Sequence, residues 1–218
     1  MDIAKLLGGL LESAGQASKQ HDIRWGQVGA GAAAGGALGL LLGSRKGKGF
    51  SSKALKYGSV AAIGYAAYKL YEKHQASKAV APTASAPAWP APGQPALPAP
   101  QQEWHSQLML RAMMAAAKAD GHVDERERGL IEAELQRQEA DAQERAWLEA
   151  ELRKPLDPAE VARGVAGQPA AAEVYLASLL VADETNFMER AYLDELARQL
   201  QLPEGLKRDL EAQAASAG

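Results

Sequence analysis

The chain has 218 residues, no cysteine, 6% aromatic residues and a formal net charge of −3. That composition excludes a disulfide framework, a thiolate metal site and a cysteine nucleophile, and it favours helices packed through Leu and Ala over a β-rich core. The small net charge conceals two opposed regions: residues 1–78 hold 11 Lys/Arg against 4 Asp/Glu, whereas residues 103–218 hold 13 against 23.

Residues 1–20 place Ile3, Leu6, Leu7, Leu10 and Leu11 at helical spacing, with Lys5 and Glu12 on the other side. This predicts a short amphipathic helix that lies on a membrane surface or packs on a neighbour. The apolar run is short and carries Lys5, so it does not read as a cleavable leader. From Trp25 to Ser44 there are 20 consecutive uncharged residues, and about 20 apolar helical residues cover the hydrocarbon core of a bilayer. Gly31, Gly35, Gly39 and Gly43 recur every fourth residue and share one helix face, where a second backbone can approach closely. The pattern predicts a membrane span over 25–44, homo-oligomers formed through the glycine face, and Trp25 as an interfacial anchor.

Arg45, Lys46, Lys48, Lys53 and Lys56 follow without an acid and are expected to stay cytoplasmic. A second uncharged run opens a segment over 57–71 that is short for a span. With snorkelling lysines it completes a helical hairpin. A hairpin would place the C-terminal region in the periplasm; a single span, favoured by Lys69, Lys73 and Lys78, would leave it in the cytoplasm. The basic loop lacks interleaved aromatics or a reading helix, so nucleic acid is not an expected partner.

Residues 79–102 carry no charge and seven of the chain's eleven prolines. Proline fixes φ and removes a donor, which predicts a semi-rigid extended tether. Beyond it, residues 103–218 are read as an acidic all-α domain with helices near 103–119, 124–138, 141–153, 157–166, 170–182, 187–201 and 203–214. Asp124 with Glu127, Asp141 with Glu144, and Asn186 with Glu189 have capping-box spacing, and Asp157-Pro158 adds a proline at a first helical position. Trp104, Leu108, Ala112, Ala115 and Ala119 are expected on one face of the first helix. Leu130, Ile131, Leu135, Leu148, Leu179 and Leu193 are among the expected core residues.

An internal repeat organises this region. Ala119-Asp120 is echoed by Ala182-Asp183, and Glu127-Arg128 by Glu189-Arg190 after a one-residue gap. Each copy reads as helix, acidic turn, helix.

Together with Pro155-Leu156-Asp157-Pro158, the segment 173–178 and the segment 187–193, this repeat resembles the TerB-like (tellurite-resistance) superfamily, and in particular YebE-type bacterial inner-membrane proteins of unknown function. The resemblance covers nearly the whole chain. It implies an all-helical domain with two pseudo-repeated helix pairs, attachment to the bacterial inner membrane and a stress-related role. It also implies a divalent cation held by Asp120, Asp124 and Glu127 in the first turn with Asp183 and Glu189 in the second.

Read from the residues alone, these acids have two explanations. A hard cation takes six or more oxygen ligands, which two juxtaposed turns would supply in part; the alternative is helix capping, with Gly121 ending one helix and His122 an exposed turn residue. The first turn lacks the alternating oxygens and the sixth-position glycine of an EF-hand. No nucleophile partners His21, His74, His105 or His122, and no Walker or Rossmann fingerprint is present. The sequence therefore predicts a non-enzymatic, membrane-tethered helical interaction module, modulated by a divalent cation and bound to a protein partner. The alternative is a metal-dependent hydrolase or a soluble metal-binding protein built on the acidic turns.

Overall fold

The structure, a computed structural model, describes residues 2–19, 60–77, 99–119, 121, 125–182 and 186–216, with side chains throughout except at 12–19, 60, 99, 100, 125–128, 130 and 134. The predicted span over 25–44 with its four glycines, and residues 79–98 of the predicted tether, lie outside the described residues. The described chain is all-α. Its nine helices are α1 (Ile3–Lys19), α2 (Val60–Ser77), α3 (Ala99–Ala117), α4 (Glu125–Arg137), α5 (Ala142–Arg153), α6 (Pro158–Arg163), α7 (Gly167–Val181), α8 (Phe187–Gln199) and α9 (Glu204–Ala215).

The bundle is built around α7. Its sequence, G-Q-P-A-A-A-E-V-Y-L-A-S-L-L-V, has no polar stripe, and every residue from Pro169 to Val181 is buried. A helix that is apolar on all sides needs neighbours on all sides, and α2, α3, α8 and α9 supply them. Gly167 begins α7 at φ +81°, a conformation that a Cβ would disfavour. In an outer layer, α1 lies on α3 and α2, while α6 packs on α8 and α3.

The seven predicted C-terminal helices are present with small shifts at their ends. Asp141 and Glu144 form the predicted box, with Glu144 N–H donating to Asp141 Oδ1 at 2.7 Å and Asp141 N–H to Glu144 Oε2 at 2.8 Å. Asp157 caps α6, with Pro158 at its first turn, and Asn186 Oδ1 accepts from Met188 N–H at 2.9 Å. Leu108, Ala112 and Ala119 of the expected face are buried, but Trp104 is 48% exposed, and the buried side also takes in His105, Met109, Met113 and Ala116. The side of α3 that meets α7 sets this phase, because His105 bonds Glu173 across the contact.

The core ignores the change of charge along the chain. Ile3, Leu6, Leu7, Leu10 and Leu11 of α1 and Ile63, Ala67 and Tyr71 of α2 join the same apolar cluster as Leu108, Leu179 and Leu206. The apolar side chains Ile3, Leu6, Leu7, Leu10 and Leu11 thus pack on neighbours, as one of the two expected placements of this helix required. The predicted second membrane segment, 57–71, falls largely in α2, whose apolar side chains face this core. Among the described residues no helix is long and apolar enough to cross a membrane.

The repeat extends into the helix ends. After α4, Glu139 N–H bonds Gln136 O and Ala140 N–H bonds Leu135 O; after α8, Gln201 N–H bonds Arg198 O and Leu202 N–H bonds Ala197 O. Each pair is a Schellman cap, closed by an apolar contact of the flanking residues. Leu135 with Ala140, and Ala197 with Leu202, are accordingly buried.

Candidate functional site

Two contacts fix how the repeats meet. His105 Nε2 lies 2.5 Å from Glu173 Oε2, and Ser178 Oγ lies 3.5 Å from Ala112 O. Both numbers rise together, so α3 and α7 run side by side in the same direction. Their C-terminal ends, with Ala119 and Ala182 both buried, therefore belong to one end of the bundle. The two acidic turns start from that end.

Of the predicted metal ligands, Asp120, Asp124 and Asp183 lie outside the described residues, as does His122, and Glu127 stands in the first turn of α4 with its side chain outside them. Glu189 is placed. It is 4% exposed in the first turn of α8, where the helix dipole favours a carboxylate. Among the described residues, no three His, Asp or Glu side chains are grouped to hold a metal ion.

The sequence reading missed the His105–Glu173 pair. The two side chains are 2% and 0% exposed. Burial pushes the Glu173 carboxyl above its ordinary range, and the bond to His105 only partly opposes this. Glu173 Oε1 has no hydrogen-bond partner among the described residues. The signal was present in the sequence as a single acid inside A-A-A-E-V-Y-L-A, since a charged side chain on a wholly buried helix requires a partner.

A second polar cluster closes the side of the bundle at α3 and α5. Arg111 grips Glu151 through Nε at 3.1 Å and Nη2 at 2.9 Å, and Lys154 Nζ reaches Glu151 Oε1 at 2.6 Å. Lys118 Nζ donates to Lys154 O at 2.5 Å, at the C-terminal end of α5. Burial alone would raise the Glu151 carboxyl, but the bonds from Arg111 and Lys154 outweigh it and hold the group below its ordinary value. Burial lowers Lys118, more than Glu151 restores. The shallow cleft here is lined by these groups with Asp157 and Glu160. Its three cations bond protein atoms, so the cluster works as a clamp.

Where α7, α8 and α9 meet, a groove has Leu179 and Leu193 beside Arg190, Asp194, Lys207 and Glu211. Lys207 Nζ bonds Asp194 Oδ1 at 2.6 Å, and Tyr175 Oη donates to Glu211 at 2.9 Å. At the start of α8, next to the second acidic turn, Phe187 and Met188 are 80% and 56% exposed. They are the most exposed large apolar side chains among the described residues.

The family model described as Protein of unknown function (DUF533) matches residues 27–214. The chain belongs to the DUF533 family. The match begins inside the uncharged run and continues almost to the end of α9, so the DUF533 pattern joins the apolar stretch to the helical body. The chain is also similar to an uncharacterized protein in the ampR 5′ region of Yersinia enterocolitica, with 32% identity over 105 residues, covering 48% of this chain and 76% of the relative. No solved structure matches.

Proposed function

We propose that this DUF533 chain is a membrane-associated helical interaction module of the YebE and TerB-like kind, held at the bacterial inner membrane, with an acidic body that docks a protein partner. The membrane half of the reading is supported by the uncharged run from Trp25 to Ser44 and the five cations that follow it by Lys56. The docking half is carried by Phe187 and Met188, a large apolar pair exposed at the head of α8, since exposed apolar surface rimmed by charge suits an interface. Vesicle flotation of the full chain tests the first half. Co-flotation with vesicles containing phosphatidylglycerol, lost in Leu38→Asp/Leu41→Asp, is expected; a chain that stays at the bottom of the gradient refutes membrane association.

Modulation by a divalent cation is the second element of the proposal. It is supported by the parallel course of α3 and α7, which starts both acidic turns from one end of the bundle. Calorimetric titration of the full chain with Ca²⁺, Mg²⁺, Mn²⁺ and Zn²⁺ is expected to show saturable heat that Asp120→Asn/Asp183→Asn removes. Absence of heat and of any shift in melting temperature at millimolar metal would leave these acids as helix caps.

A further inference from the structure

We infer that the groove where α7, α8 and α9 meet is a ligand site for a small aliphatic monocarboxylate with an N–H donor beside its carboxyl, the chemistry of an amino acid or of a peptide's free C-terminus. None of its residues is Phe187, Met188 or an acid of the two turns, so the site stands or falls apart from the docking and metal readings above.

The groove holds about 340 Å³, within the roughly 300–1,000 Å³ of small-molecule sites. Leu179 and Leu193, at 0% and 4% exposed, form its base. Around them stand Arg190 and Asp194 from α8 and Lys207 and Glu211 from α9. Two cations and two acids leave the lining neutral, which suits a ligand that brings both an acceptor and a donor.

The four charges do not form two pairs. Lys207 Nζ bonds Asp194 Oδ1 at 2.6 Å and lies 3.7 Å from Glu211 Oε1. That Glu211 oxygen also accepts from Tyr175 Oη at 2.9 Å. One cation thus serves both acids, and Arg190 pairs with no acid among the described residues. Asp194 stands four residues after Arg190 on the same helix, where an ion pair would ordinarily form. Lys207 has taken that partner.

Arg190 therefore brings an unfilled fork of N–H donors to the groove, and a carboxylate is the group that fills such a fork with two parallel bonds. The acids restrict the choice further. Asp194 Oδ2 and Glu211 Oε2 accept no hydrogen bond among the described residues, so each is open to an N–H of the ligand. The same two acids repel a multiply charged anion such as phosphate. The leucine base gives a short aliphatic group an apolar surface to rest on.

The test is ligand-observed NMR titration of the full chain with N-acetyl-L-leucine, L-leucine, L-leucinamide and inorganic phosphate. Saturable binding of one or both carboxylates is expected, with none of leucinamide or phosphate. Tighter binding of N-acetyl-L-leucine assigns the site to a peptide end, and tighter binding of L-leucine to a free amino acid. Arg190→Gln should weaken binding by about tenfold or more; Arg190 is exposed, so the core is left intact. Lys207→Met provides an independent variant. It frees Asp194 to pair with Arg190 and should weaken binding although the guanidinium is still present. No saturable binding of either carboxylate at millimolar concentration would overturn the site, as would equal binding of leucinamide or an Arg190→Gln chain that binds like the parent. Flotation and metal titration read other parts of the molecule, so either can fail while this result stands.

Discussion

The backbone N–H of Asp2 donates to Glu144 Oε1, while Oε2 of the same carboxylate accepts from Asp141 N–H. One side chain thus closes its own capping box on α5 and also stands at the N-cap of α1, whose own side-chain cap is Asp2 Oδ1 accepting from Lys5 N–H at 2.8 Å. In an ordinary box the return partner is the third helical residue. In α1 that residue is Lys5, and Glu144 supplies the missing acceptor from a distant part of the chain.

Glu144→Ala is expected to cost about 2 kcal/mol, roughly one for each orphaned donor. Glu144→Gln, which keeps one acceptor, should cost about half as much. Denaturant melts give the size of the loss, and hydrogen exchange locates it. Residues 2–11 should exchange faster in the alanine variant, and an increase confined to α5 would show that the contact does not hold α1.

The left-handed residues Glu139 and Gln201, at φ +54° and +53°, occupy the position that glycine prefers in a Schellman cap. Glu139→Gly and Gln201→Gly should each stabilise by roughly 1 kcal/mol, because the Cβ strain is removed while both backbone bonds remain. The caps are separate, so the double variant is expected to be additive within about 0.5 kcal/mol. Lower melting temperatures in both single variants would contradict the cap assignment.

The His105–Glu173 pair sets a pH dependence. Burial raises the folded-state pKa of Glu173 above its ordinary 4.5, so the folded state holds this proton more tightly than the unfolded chain. Its contribution is complete below pH 4.5 and is lost as pH rises through the folded value. Glu173→Gln should remove this falling arm, gaining on the parent in urea midpoint between pH 4.5 and neutrality. His105→Leu leaves the buried Glu173 carboxyl without its hydrogen-bond partner and should cost about 1–3 kcal/mol, most of it recovered in His105→Leu/Glu173→Leu.

Gly205 and Gly9 answer differently to the same substitution. A Cβ at 205 meets the His74 ring at 2.6 Å, whereas at position 9 it meets the end of the long Gln138 side chain. Gly205→Ala should cost about 1–3 kcal/mol by overpacking, and little in a His74→Ala background. Gly9→Ala should be near neutral or stabilising, since Gln138 can swing aside and alanine adds about 0.5–1 kcal/mol of helix preference. A double-mutant cycle on Gly205 and His74 with no coupling would remove α2 from its seat on α9.

The sequence by itself determined the all-α class, the seven C-terminal helices, the capping box at Asp141, the caps at Asp157 and Asn186, and the repeat. Each of these is written in short-range spacing, where the interacting groups lie within a few residues of one another. Membership of the DUF533 family adds the apolar stretch to the same pattern without assigning it a role.

The tertiary structure decided what joins those elements. The composition marks residues 1–78 as a separate basic region, yet Ile3, Leu7 and Ile63 lie in the core with Leu179. A stripe of Ile3 and four leucines has the same spacing whether it meets lipid or another helix, and only the partner tells them apart. Trp104 was placed inward and is half exposed, because the face of α3 is chosen by α7 and by the His105–Glu173 bond across it. That bond joins residues far apart in the chain. A buried carboxyl made a partner for Glu173 necessary, but only packing could supply His105.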